Sequence, residues 1–280
     1  MIKLSRKSLD IRRDIIEMIY VAGSGHPGGS LSAVEILTAL YFKVMRIRPE
    51  QPEWPERDRF ILSKGHAAPA IYAVLAERGF FPLEELKTFS APGTRLQKHI
   101  DMHLVPGAEL STGSLGQGLS VGVGMALADR IDGKDRRVYV LIGDGESQEG
   151  QIWEAAMAAA QLKLNNLIAF LDYNGCQVDG YVRDICNLEP VDRKWESFGW
   201  HVQRIDGHDL GQILAALETA HRYRPGPHII IANTVKGKGI SYMEDRPEWH
   251  ARAISQEEYR IAVADLEAIE RSLEKRGGAS

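Results

Sequence analysis

Apolar residues recur along this chain in two periods. Leu9, Ile11, Ile15, Ile16, Met18 and Ile19 sit at helical spacing, which predicts an amphipathic helix over residues 5–21. Short, nearly unbroken apolar runs at 138–142 and 167–171 instead predict buried strands, and 60–63, 200–205 and 228–232 read as further strands. Helical stretches lie between the strands, including 209–221, and a last helix is expected over 254–274, starting on Ser255 or its neighbour. The alternation predicts an α/β fold: a doubly wound, mostly parallel sheet flanked by helices on both faces. The glycines of GSGHPGG break the first helix, and a second is expected from about Ser30, with Ser30 or Ser32 as its cap. RPEQPEWPERDR reads as a surface loop, FPLEELKTF as a short helix and the GGAS end as frayed. No internal repeat or linker interrupts the pattern, so residues 1–280 read as a single domain.

Composition narrows the class. The chain is 44% hydrophobic and 26% charged, the balance of a globular protein with a sizeable core. Its net charge of −4 argues against nucleic-acid or membrane partners. No run approaches the roughly 20 apolar residues that span a bilayer, and the charged N-terminal stretch reads as a helix rather than a signal peptide. Two cysteines, Cys176 and Cys186, make no disulfide framework, which suits a reducing cytoplasm.

Two predicted strands end in polar residues. One runs into Gly143-Asp144-Gly145, the other into Asp172-Tyr173-Asn174. Ligands of open α/β sheets sit beyond the carboxyl ends of the strands, so Asp144 and Asn174 are expected to share one crevice. A carboxylate and an amide carbonyl form an all-oxygen set, suited to a hard cation such as Mg²⁺ held with phosphates. Gly143 and Gly145 would let the backbone approach those phosphates closely. His26, in a glycine-rich loop, and His66, directly after a strand, are expected to face the same crevice. Gly113-Ser114-Leu115-Gly116-Gln117-Gly118 opens a helix, where bare amides favour anions. Glu149 and Glu154 complement the helix dipole after GDG on one reading. Gly122 and Gly124 are expected to let that glycine-rich helix approach the sheet. Cys176 has no base beside it in sequence, so it is not expected to be a nucleophile, and Cys186 is expected to be structural.

GDG followed by a helix and an Asn closing the next strand resembles the thiamine diphosphate signature. GDGESQEGQIWEA, GHPGG and SKGHA resemble transketolase over essentially the whole chain. The resemblance implies thiamine diphosphate with Mg²⁺, for which Ca²⁺ or Mn²⁺ substitutes. Asp144, Asn174 and the Cys176 carbonyl would hold the metal. It implies cofactor contacts from His66, Gly145, Glu149, Asn174, Lys236 and His250, with Gly113 and Leu115 beside the cofactor rings. On this reading Glu149 and Glu154 lie at a subunit interface. The family's Gly-His-Pro triplet is replaced here by Lys98-His99-Ile100, so its histidine is His99 or His103, with His99 the better fit. His26, His99 and His250 would relay donor hydroxyl protons near their ordinary pKa.

The resemblance covers only the diphosphate-binding part of a full-length transketolase. It therefore implies a separate C-terminal subunit carrying the pyrimidine-binding domain and its activating glutamate, two of each chain, and sugar phosphate substrates. The implied reaction passes a two-carbon glycolaldehyde unit from a ketose to an aldose through the cofactor's ylide. The rival readings are another thiamine enzyme, of the 2-oxo acid dehydrogenase or deoxyxylulose phosphate synthase type, and a non-catalytic regulatory protein. A nicotinamide dehydrogenase is disfavoured because GSLGQG follows no clear strand.

Overall fold

A computed structural model describes residues 1–277. In chain order the elements are α1 (Ile2–Ala22), α2 (Pro27–Leu31), α3 (Val34–Ala39), β1 (Arg59–Leu62), α4 (Ala68–Arg78), α5 (Gln117–Ile131), β2 (Val138–Gly143), α6 (Gly150–Gln161) and β3 (Leu167–Tyr173). They continue with β4 (Cys176–Gln177), β5 (Gly180–Tyr181), α7 (Val182–Ile185), α8 (Val191–Ser197), β6 (His201–Asp206), α9 (Leu210–Arg222), β7 (His228–Asn233) and α10 (Gln256–Gly277). The tail expected to fray lies outside the described residues from 278 on, and Gly277 still belongs to α10. FPLEELKTF forms a single 3₁₀ stretch, Leu83–Thr88.

Five strands pair in the order β1-β2-β3-β7-β6, all parallel, and β4-β5 form a separate antiparallel ribbon. Successive strand residues point to opposite faces, and the two faces feed two cores. Tyr139, Leu141, Ile168, Phe170 and Ile230 pack with α1, α3, α4 and α9 residues. Val138, Val140, Ile142, Ala169 and Ile231 pack with α5, α6 and α8 residues. Both faces are covered, so the central strands read as continuous apolar runs. Among the described residues, no helix is long and apolar enough to cross a membrane.

Helix ends follow local chemistry. Gly23 closes α1 with φ 64°, a conformation that suits glycine. Asp209 caps α9 through the amides of Gly211 (2.8 Å) and Gln212 (3.1 Å). Ser255 and Glu258 exchange side-chain-to-amide bonds at the start of α10, a capping box. The serines after GSGHPGG behave otherwise than expected. The helix starts at Pro27, earlier than Ser30, and neither Ser30 nor Ser32 caps it. Ser30 Oγ donates back to the His26 carbonyl (2.7 Å), while Ser32 Oγ donates to the Asp172 carboxylate (2.6 Å). Cys186 is exposed rather than structural.

Gly122 permits a close helix–sheet approach, and Gly124 does not need to. A Cβ on Gly122 would lie 2.6 Å from Val140 Cγ2, whereas one on Gly124 would meet nothing within 4 Å. Gly122→Ala should therefore destabilise the full chain by about 1–3 kcal/mol through overpacking. Gly124→Ala should stabilise it by about 0.5–1 kcal/mol through lost glycine entropy in a helix. Urea denaturation of both variants checks this, and equal effects would contradict the close packing of α5 on β2.

Candidate active site

The parallel register pairs Gly143 on β2 with Asp172 on β3, so the two chain segments leave the sheet side by side. Asp144 follows at once and is 2% exposed. Its Oδ1 accepts the Gly145 amide (2.8 Å) and its Oδ2 accepts the Gly175 amide (2.5 Å), directly linking the two strand ends. Asn174 Oδ1 accepts the Cys176 amide (3.1 Å), and its Nδ2 donates to Asp172 Oδ2 (3.1 Å). These two bonds set which way the amide faces. Burial, reinforced by the Asp172 charge, pushes the Asp144 acid up to about 7.

Asp172 is fully buried and gathers four segments. Lys64, from the turn after β1, forms a buried ion pair with it, and also donates to the Gly29 carbonyl (2.8 Å). Ser32 and Thr234 donate hydroxyls to the same carboxylate, alongside Asn174. Burial alone would raise the Asp172 acid; Lys64 and the Ser32 and Thr234 hydroxyls together outweigh it and hold the acid below its ordinary value. Glu146 does a similar task one turn away. It accepts the amides of Gly143 (2.9 Å) and Gly116 (2.9 Å) and the Ser63 hydroxyl, tying the start of α5 to the end of β2. Sequence reasoning gave Lys64, Asp172 and Glu146 no role. For Asp172 the available signal was a charged residue directly after a continuous apolar run, where burial demands a partner.

Four histidines meet above these strand ends. The His26 ring centre lies 5.4 Å from that of His66, 5.9 Å from His99 and 5.6 Å from His250, and His66 and His250 are 4.8 Å apart. His103 is exposed, outside this cluster, with its amide on Asp101. Lys236 is 2% exposed, and its Nζ reaches the Cys176 carbonyl (3.4 Å) and His250 Nδ1 (3.2 Å). Gly28 makes room for it, since a Cβ there would stand 2.8 Å from the Lys236 stem. His66, Leu115, Asp144, Gly145, Glu149 and Asn174 line one cleft, with Cys176, Lys236 and His250 closing it. Gly113 joins through His99, whose ring lies 3.4 Å from where its Cβ would be. Glu149 and Glu154 are both exposed, and Glu149 makes no capping bond at the start of α6.

Two of the histidines expected to titrate near neutrality, His26 and His250, do not. Burial, with His99 and the nearby lysines, lowers His26 to about 4. Burial and then Lys236 lower His250 to about 3, and burial and Lys64 hold His66 well below its ordinary value. All three rings are thus neutral at pH 7, and His26 Nδ1 is buried with no hydrogen-bond partner among the described residues. Burial also raises the Cys176 thiol to about 12, so it is no nucleophile.

The donor atoms fit a hard divalent cation. Asp144, the Asn174 amide oxygen and the Cys176 carbonyl are all oxygens, and carbonyl oxygens keep a second lone pair beyond the bonds described. Among the described residues there is no group of three or more His, Cys, Asp or Glu placed to hold a metal. A cation here would also favour the Asp144 carboxylate and so oppose the desolvation that raises the acid.

The fold and the cleft define the class: a parallel α/β protein with its cleft beyond the carboxyl ends of its strands, where such sheets place their ligands. Residues 6–267 match the family described as transketolase, thiamine diphosphate binding domain. The chain belongs to the transketolase family. It is 52% identical to the 6-deoxy-6-sulfo-D-fructose transketolase subunit SqwG of Clostridium sp. (strain MSTE9), over 95% of this chain and 97% of that subunit. It is 43% identical to an apulose-4-phosphate transketolase subunit of Phocaeicola vulgatus, over 94% of each. The crystal structure of transketolase from Campylobacter jejuni superposes with a TM-score of 0.89 at 33% identity, over 94% of this chain. This chain spans 42% of that one, less than half its length.

The lowered histidines make a pH prediction. Between about pH 6.5 and pH 3–4 the unfolded chain takes up protons that folded His26 and His250 refuse. Stability of the cofactor-free chain therefore falls as pH falls through that window. His250→Gln should lessen the loss between pH 7 and pH 5 by about 1 kcal/mol, allowing for solvent screening. Urea denaturation at the two pH values measures it, and an unchanged loss in the variant would contradict the neutral, desolvated His250.

Proposed function

We propose that this chain is the diphosphate-binding subunit of a split transketolase. It would move a two-carbon glycolaldehyde unit from a ketose donor to an aldose acceptor. The observation that carries the reading is Asp144 bonded to the amide after Asn174 at adjacent strand ends, beneath the neutral rings of His26, His66 and His250. Two relatives matched over 97% and 94% of their length are named as transketolase subunits, which supports the division of labour.

Asp144, the Asn174 amide oxygen and the Cys176 carbonyl would hold Mg²⁺. Lys236, His66, His250 and the backbone at Gly145 would meet the diphosphate, with Gly113 and Leu115 beside the rings and Glu149 toward the partner. Thiamine diphosphate supplies, when bound, the carbanion chemistry that breaks and makes the carbon–carbon bond. The protein's part is to orient the donor and handle its hydroxyl protons. His26 and His99, with ring centres 5.9 Å apart, would meet the donor hydroxyls. A neutral ring can accept a proton, and Lys236 next to His250 disfavours its keeping one.

The two relatives are named for a sulfosugar and a sugar phosphate. We therefore infer a donor with a terminal anionic group, read mainly by the partner chain. That partner would carry the pyrimidine-binding domain, in an assembly of two of each chain. Two free cysteines suit a cytoplasmic protein.

The test mixes the purified full chain with a partner chain bearing a pyrimidine-binding domain. Ketose phosphate and ketose sulfonate donors are offered with an aldose acceptor. Transfer should appear only in the mixture, with a rate gain of several orders of magnitude over either chain alone. Turnover by this chain alone would refute the split-subunit reading.

A further inference from the structure

Lys236 owes its place to a loop held from behind, on the side away from the cleft. The loop follows β7, and two backbone groups that flank Lys236 and Gly237 are tied to the side chains of half-buried His208 and buried Arg12. The Val235 amide donates to His208 Nε2 (2.9 Å), and the Lys238 carbonyl accepts Arg12 Nε (3.0 Å). Arg12, on α1, also grips Glu35, on α3, through both guanidinium nitrogens (2.5 and 2.9 Å). Glu35 in turn lies 2.8 Å from His208 Nδ1, in the turn between β6 and α9. Burial would raise the Glu35 acid, but Arg12 and then His208 hold it down at about 2. It is therefore a carboxylate at any working pH and an obligatory acceptor.

This arrangement fixes one tautomer of His208. A backbone amide can only donate, so Nε2 must be the bare nitrogen. The proton then sits on Nδ1, facing the Glu35 carboxylate. A neutral imidazole donates at one edge and accepts at the other, as these two partners require. The chain thus runs Arg12, Glu35, His208, Val235, and ends one residue from Lys236, whose Nζ stands between Cys176 and His250.

We propose that His208 is a positioning residue for Lys236: its bare Nε2 fixes the loop that presents the ammonium to the cleft. His208 touches neither cleft nor ligand and acts only through the Val235 amide. The consequence for cofactor binding rests on the reading that Lys236 meets the diphosphate.

Three measurements on the full chain test this. Long-range proton–nitrogen correlation of the unaltered chain should find the His208 proton on Nδ1; a proton on Nε2 overturns the proposal. His208→Asn keeps a donor near the Nδ1 position and loses the acceptor, while His208→Gln restores an oxygen near Nε2. Hydrogen exchange at the Val235 amide should quicken about tenfold in His208→Asn and recover in His208→Gln. Unchanged exchange in His208→Asn overturns the tether. Thiamine diphosphate affinity with Mg²⁺, measured by calorimetry, should weaken about tenfold in His208→Asn and recover in His208→Gln. Lys236→Met is the control. If it weakens binding while His208→Asn does not, positioning by His208 is wrong. If Lys236→Met leaves binding unchanged, the assignment of Lys236 to the cofactor fails instead, and the exchange result alone decides the tether.

Discussion

One constraint governs the chemistry of this molecule: the register in which β2 lies against β3. Because Gly143 stands opposite Asp172, the GDG turn and the DYN turn emerge at one height on the carboxyl edge of the sheet. Asp144 is then within reach of the Gly175 amide. A slip of one residue would send every side chain of a strand to the other face and break both cores at once. The hydrophobic alternation between the two cores thus also fixes the distance between a carboxylate and an amide. The site inherits its geometry from packing.

Buried charge does the finer placement. Asp172 with Lys64, Glu146 with two amides and a hydroxyl, and Arg12 with Glu35 and His208 each join segments distant in sequence. Buried ion pairs contribute little net stability against a well-packed apolar alternative, yet breaking one costs about 3–5 kcal/mol. They are better understood as locators. Asp172 sets the Asn174 amide, Glu146 sets the loop before α5, and the Glu35 group sets the loop of Lys236. The same desolvation that makes these locators strong keeps the cleft histidines neutral.

The strands were legible because a central parallel strand, buried on both faces, cannot hide its apolar run. Asp144, Asn174, His26 and His66 stood out because glycines or strand ends surround them, whereas Lys236 and His250 were singled out only through the family resemblance. Other features depend on which distant segments become neighbours. Ser32 reads as a helix cap until Asp172 is known to lie beside it. Lys64 reads as a surface lysine until β1 is known to pair with β2. The neutrality of His26 and His250 follows from burial and from Lys236, neither of which a local window contains. The same holds for Gly122 and Gly124, identical on paper, of which only the first faces β2.

The central claim is that the ends of β2 and β3 act together on one divalent cation. Calorimetric titration of thiamine diphosphate into the full chain, with and without Mg²⁺, tests it in Asp144→Ala, Asn174→Ala and the double variant. The account predicts that each single change abolishes the Mg²⁺ dependence and that the double variant is no worse than either. Mg²⁺-dependent binding that survives in Asp144→Ala, or losses that simply add, would contradict it.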